Sequence, residues 1–119
     1  MREIKFRAWL YPYKRMAYEF NLFQKKGCFH LWLPGEEFSP DAFELMRYIG
    51  LKDSYATEEY FGDIIEDDDG IRRVIEDGNS AVWYKNIKEK FDIDYFWQLK
   101  VHKVIGNIYE NPDLLKEAK

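Results

Sequence analysis

The sequence has a single cysteine, Cys28, in 119 residues. One cysteine cannot close an intramolecular disulfide, so the chain is not built for an oxidising compartment. No apolar run approaches the 18 or more residues of a membrane-spanning helix. The opening MREIKFRAW carries charge throughout and has no apolar signal-peptide core, so the expected location is the cytoplasm with no membrane partner. Internal repeats, low-complexity segments and linkers are missing. So are G-x-x-x-x-G-K-[ST], G-x-G-x-x-G, G-x-S-x-G and H-E-x-x-H. These absences leave no motif for nucleotide, hydrolase or zinc chemistry, and no cofactor is expected.

Aromatic side chains are abundant: 4 Trp, 9 Tyr and 9 Phe, or 18% of the chain. A large ring buries about 150–250 Å², so a domain of this length closes its core with few of them. The surplus points to rings at a surface or interface, although a small β-rich core also favours aromatics. Charge is uneven. Residues 1–26 carry seven Lys/Arg and two Glu, a net of +5, which leaves −9 for the remainder of a chain of net −4. Asp53 to Asp69 holds eight acids and no base. Such asymmetry steers a polyanion to one end, joins unlike ends of neighbouring subunits, or simply forms two solvated faces.

The front of the chain reads as an antiparallel meander. In Glu3–Leu10, Ile4, Phe6, Ala8 and Leu10 alternate with Glu3, Lys5, Arg7 and Trp9, a period of two that gives one apolar and one basic face. Tyr11-Pro12-Tyr13-Lys14 is a turn, Met16–Phe23 a second strand, Gln24-Lys25-Lys26-Gly27 a hairpin loop and Cys28–Leu33 a third strand ended by Pro34-Gly35. Ser39-Pro40-Asp41 has the pattern of a helix start, with Ser as N-cap and Pro at the first helical position. The alternative is a loop running into a strand over Phe43–Ile49, and residues 36–59 stay open between the two.

Further on, Leu51–Glu59 is a polar connection and Tyr60–Glu66 a strand with a bulge or bend at Gly62-Asp63. Asp67-Asp68-Asp69-Gly70 is a turn, Ile71–Glu76 a strand, Asp77-Gly78-Asn79 a turn and Ser80–Tyr84 a strand. Residues 85–94 are open between a short helix and a hairpin edge. Tyr95–Ile105 reads as one long strand, and Asn111-Pro112-Asp113 repeats the helix-start pattern for a terminal helix over Pro112–Ala118. The fold expected is α+β and mostly β: one domain, residues 1–119, with antiparallel strands in a small barrel-like or two-sheet core and one or two short helices. A subdivision near residues 54–56 would separate a front meander from a back sheet.

Three stretches resemble the YopX family of phage and prophage proteins. The first is Met1-Arg2-Glu3-Ile4-Lys5-Phe6-Arg7-Ala8-Trp9 with Lys14 and Met16. The second is Leu45-Met46-Arg47-Tyr48-Ile49-Gly50-Leu51-Lys52-Asp53 leading to Tyr60-Phe61-Gly62-Asp63-Ile64-Ile65. The third is Val104-Ile105-Gly106-Asn107-Ile108-Tyr109-Glu110-Asn111-Pro112. Ser54-Tyr55-Ala56-Thr57 departs from the Lys-Asn-Gly turn usual in the family, and Arg47 and Ile49 replace its Gln and Thr. The resemblance implies a phage or prophage origin, a β-rich fold and homo-oligomerisation; it supplies no reaction. Gly50, Gly62, Asp63, Gly106 and Asn107 are the structural residues of the shared motifs, where the glycines suit turns or close backbone approach and Asn107 an Asx-type turn.

Candidate chemistry is sparse. Cys28 and His30 share a strand face and could form a nucleophile pair or half a metal site, but no third ligand is placed by sequence, and a small thiol beside an imidazole needs no such role. Asp67, Asp68 and Asp69 lack the ligand spacing of a calcium loop and suit a solvated turn. Asp63, His30 and His102 are the residues a metal-dependent hydrolase would use. The best candidate surface is basic and aromatic: Arg2, Lys5, Arg7, Trp9, Lys14 and Arg15. It fits an interaction face in a self-associating phage accessory protein that binds a host or phage partner. Phosphates and bases would also suit it, although the overall acidic balance opposes a strong non-specific nucleic-acid binder.

Overall fold

The computed structural model describes residues 5–77, 82–87, 93–95 and 101–116. Arg2 of the candidate face, most of the Asp77-Gly78-Asn79 turn, residues 88–92 and the end of the terminal helix expected from the sequence lie outside these. The chain falls into two compact units and passes from one to the other between Arg47 and Tyr48. Every described strand pairing is antiparallel.

The first unit holds β1 (Phe6–Leu10), β2 (Arg15–Ala17), β3 (Asn21–Lys25), β4 (Cys28–Leu33), β5 (Glu36–Phe38) and the start of β6 (Phe43–Lys52). β1 is central, paired with β2 through Ala8↔Ala17 and with β6 from Phe6↔Arg47 to Leu10↔Phe43. β3, β4 and β5 form a separate small sheet. Ala8, Leu10, Leu31, Phe38 and Phe43 make the core, with Phe20 and Leu22 packed against it.

Two expectations for this unit change. The strand read over Met16–Phe23 is two strands: β2 stops at Ala17, and β3 starts at Asn21 in a different sheet. An unbroken strand would align Tyr18 with Phe20 and Leu22; the break leaves Tyr18 exposed while the other two reach the core. The basic face of the opening strand is also covered. Arg7 is 4% and Trp9 7% exposed, because β1 is an inner strand buried on both sides.

The second unit contains the rest of β6 with β7 (Glu58–Tyr60), then β8 (Asp63–Asp67), β9 (Arg72–Asp77), β10 (Val82–Asn86), β11 (Ile93–Tyr95) and β12 (His102–Asn107). The last five form one sheet in the order β11-β10-β9-β8-β12. Ile49, Ile65, Ile75 and Tyr84 are its core. Each fully buried side chain of this size contributes about 1.5–3 kcal/mol. The mostly β, antiparallel fold with a half-barrel is as expected from sequence, and its strands lie in three sheets among the described residues rather than two. Tyr95–Ile105 is not one strand, since Tyr95 pairs with Trp83 at one edge of the five-stranded sheet and His102 with Asp67 at the other.

Neither expected helix forms beyond a single 3-10 turn, at Pro40–Ala42 and Pro112–Leu115. Neither Ser39 nor Asn111 makes a side-chain capping bond. The Ser39 hydroxyl donates to Asp41 at 2.5 Å, and Asn111 Oδ1 accepts the Asn107 N–H at 3.2 Å. After Pro40–Ala42 the chain enters β6, so the strand alternative holds there. Gly50, at φ +88°, sits within a bulge: between Tyr48↔Tyr60 and Lys52↔Glu58, β6 has three residues where β7 has one.

The closing Gly106–Pro112 stretch is a hydrogen-bonded knot. Asn107 Oδ1 accepts the N–H groups of Tyr109 (3.0 Å) and Glu110 (2.8 Å), and Asn107 Nδ2 donates to the Glu110 carboxylate at 2.7 Å. Asn111 lies directly on Gly106, where an added Cβ would come within 2.5 Å of Asn111 Oδ1. Gly106→Ala is expected to destabilise the chain by about 1–3 kcal/mol, read as a lower denaturant midpoint at unchanged slope. Ala56 has the opposite problem: it is held at φ +69°, a left-handed conformation that disfavours a side chain. Ala56→Gly is expected to stabilise by up to about 1 kcal/mol, measured in the same titration.

Candidate functional site

Five residues between β6 and β7 organise the second unit. Asp53 is buried, and its Oδ1 accepts the N–H groups of Tyr55 and Thr57, each at 2.8 Å. Its Oδ2 accepts the Val104 N–H, also at 2.8 Å, from a strand 51 residues away. Ser54 pairs with β12 as well: its N–H donates to the His102 carbonyl at 3.1 Å, and its hydroxyl accepts the His102 N–H at 3.0 Å. Burial raises the Asp53 carboxyl pKa, but the three N–H donors, with His102 nearby, outweigh it and hold the group below its ordinary value.

This turn delivers Glu59, on β7, into the interior at 1% exposure. Two donors converge on its carboxylate. The Tyr84 hydroxyl from β10 reaches Oε1 at 2.9 Å, and His102 Nε2 from β12 lies 2.6 Å from Oε2. The two rings meet edge to face, 6.1 Å between centroids. Burial pushes the Tyr84 hydroxyl well above its ordinary value, and the Glu59 charge and hydrogen bond push it further, so it stays a donor. His102 also borders a cleft of about 190 Å³, with Tyr55, Asp68 and Lys103 on its walls. An imidazole between a buried carboxylate and a cleft can take up and release a proton.

The residues singled out from sequence are dispersed. His30 lies in the first unit, 3.0 Å from the Glu37 carboxylate and stacked on Phe23 at 5.6 Å; Cys28 is exposed. Asp63 is buried and accepts the Tyr60 N–H at 2.8 Å. Gly62 anchors the turn before it, donating to the Ile75 carbonyl and accepting from the Ile108 N–H, each at 2.9 Å. Asp67 accepts the N–H groups of Asp69 and Ile71 and faces Arg73 at 3.2 Å, so the Asp67-Asp68-Asp69 turn closes on itself. Among the described residues no cluster of three or more His, Cys, Asp or Glu is placed to hold a metal.

Of the candidate interaction face, Arg7 and Trp9 are buried, Lys5 is half-buried, and Lys14 and Arg15 are exposed. Arg15 lies 5.7 Å from the Tyr13 ring centroid, and the Tyr13 hydroxyl donates to Glu36 at 2.6 Å. Another surface was not evident from sequence. On the β3-β4-β5 sheet, Leu22, Leu31 and Phe38 are in register towards the core. The alternating positions Asn21, Phe23 and Lys25, then Cys28, His30 and Trp32, then Glu37, form the opposite face. Trp32 there is 42% exposed. Glu59 and Tyr84 were also missed, for they stand 25 residues apart with no shared motif.

The Asp53 carboxylate has a signature in pH. A carboxyl whose folded pKa is depressed contributes stability that is present above its unfolded value, near 3.8, and lost as pH falls through the folded value. Acid titrations of unfolding free energy are therefore expected to fall below about pH 4. Asp53→Asn is expected to remove part of that slope and lower stability at neutral pH.

The family model described as YopX protein matches residues 5–116. No curated protein matches the sequence. The crystal structure of protein EF1440 from Enterococcus faecalis is similar over 98% of this chain and 100% of its own, at TM-score 0.67 and 22% identity. The X-ray structure of protein yopX from Bacillus subtilis is similar over all of both chains, at TM-score 0.65 and 20% identity. At these identities the two structures speak to the fold alone, while the match over residues 5–116 decides the family: the chain belongs to the YopX proteins.

Proposed function

We propose that the chain is a non-enzymatic phage or prophage accessory protein that acts in the host cytoplasm and self-associates through the outer face of β3-β4-β5. One observation carries this reading: Trp32 stands 42% exposed on a sheet face that also bears Phe23 and His30. Large rings left on a face in this way are a feature of interaction sites. Charge supports a second copy as the partner. Residues 5–47 carry seven bases and five acids, a net of +2; residues 48–119 carry ten bases and sixteen acids, a net of −6. The exposed bases Lys14, Arg15, Lys25 and Lys26 would face the Asp53–Asp69 stretch of the neighbouring copy. A host or phage protein with an acidic surface would use the same face.

A second reading is single-stranded nucleic-acid binding. The Phe23–His30 stack and Trp32 offer rings to bases, and Lys25 and Lys26 lie at one end of the same hairpin to neutralise phosphates. This moves the nucleic-acid surface from the opening strand, whose Arg7 and Trp9 are buried, to β3 and β4.

Light scattering on the chromatographed protein, with absorbance at 260 and 280 nm, tests both. The expected result is a defined multiple of 14.5 kDa with protein-like absorbance, reduced towards the monomer by Trp32→Ser. A monomeric parent chain would end the self-association reading. Excess 260 nm absorbance that salt removes would transfer the face to nucleic acid.

A further inference from the structure

We infer that Glu59 and His102 form a carboxylate–imidazolium pair that holds β7 against β10 and β12, and that alkaline pH loosens this pair. β7 is a weak strand, three residues long and joined to β6 through Tyr48↔Tyr60 and Lys52↔Glu58, on either side of a bulge. The Glu59 side chain supplies what the ladder lacks, with contacts to two further strands at 2.9 Å (Tyr84) and 2.6 Å (His102 Nε2).

Only one of those two contacts can neutralise the carboxylate. The Tyr84 hydroxyl is a neutral donor and its ionisation is opposed by burial and by Glu59 itself. A buried carboxylate without a counter-charge is strongly unfavourable, and the imidazole can supply the charge by holding a second proton. Of the other described groups near His102, Asp53 acts in the same direction and those of the cleft largely cancel. Asp53, from the turn, couples electrostatically to it. On the cleft side Glu66 and Asp67 are matched by Arg72 and Arg73, each at 3.2 Å, and exposed Asp68 opposes Lys103. Tyr55 adds a neutral hydroxyl.

The consequence runs in one direction. A histidine that gains a carboxylate partner on folding holds its proton to higher pH than in the unfolded chain. Its stabilisation is complete below the ordinary imidazole value of about 6.5 and is lost as pH rises through the folded value. When the proton leaves to solvent, Glu59 keeps its charge and a neutral imidazole remains. β7 then loses the charge attraction that ties Glu59 to β12, while the Asp53 and Ser54 bonds keep the preceding turn in place.

The test is a proton NMR titration of the His102 ring, with denaturant unfolding at pH 6 and pH 9, on the parent chain and on Glu59→Gln. His102 is expected to titrate above the ordinary value of about 6.5, and Glu59→Gln is expected to bring it back and flatten the loss of stability between the two pH values. Should Glu59→Gln not fold, Tyr84→Phe serves: with one donor gone, Glu59 leans more on the imidazolium and the titration of His102 moves upward. A His102 that titrates at or below the ordinary value, or that ignores both substitutions, would overturn the pairing.

Discussion

The buried carboxylate of Asp53 is the constraint on which the second unit depends. Three backbone N–H groups end on its two oxygens, two from its own turn and one from β12. The chain between β6 and β7 therefore has one conformation, and β12 is tied to it although 51 residues separate Asp53 from Val104. Ser54 adds a reciprocal pair with His102. Glu59 and His102 can meet only because the turn that precedes one is bonded to the strand that bears the other.

The same arrangement deals with an exposed sheet edge. β12 closes the five-stranded sheet on one side, and an edge strand presents unpaired N–H and C=O groups that invite another chain. Here side-chain oxygens of Asp53, Ser54 and Asn111 accept the N–H groups of Val104, His102 and Asn107. Polar side chains thus stand in for a sixth strand. The Gly106–Pro112 motif belongs to this cover, since Asn111 can reach the Asn107 N–H only across a residue without a Cβ.

The two units present different chemistry. The first keeps its acids and bases near balance and carries exposed rings on a small sheet; the second is acidic outside and encloses a polar cluster of carboxylate, phenol and imidazole. Buried polar groups need every partner in place, so that cluster rigidifies the unit. The rings on β4 have no such obligation, and exposed apolar area is what association requires.

By itself the sequence determined the mostly β, antiparallel character of the fold and most of the described turns. Alternation marked β4 and β9, Lys26-Gly27 and Asp69-Gly70 marked two hairpins, and the ordered motifs identified the family. Those signals are local, because side-chain period and turn chemistry depend on neighbours a few residues away. Helix-start signals at Ser39 and Asn111 misled for a reason sequence cannot display: residues 43–47 after Ser39 pair with β1 as part of β6, and Asn111 Oδ1 is taken by the Asn107 N–H. Only the tertiary structure decided that Arg7 and Trp9 lie inside, since an alternating strand looks the same whether one of its faces is covered or both. It alone decided that Glu59, Tyr84 and His102 share a site. Their positions are set by the pairing order β10-β9-β8-β12 and by one carboxylate at residue 53, and long-range pairing leaves no periodic trace in the chain.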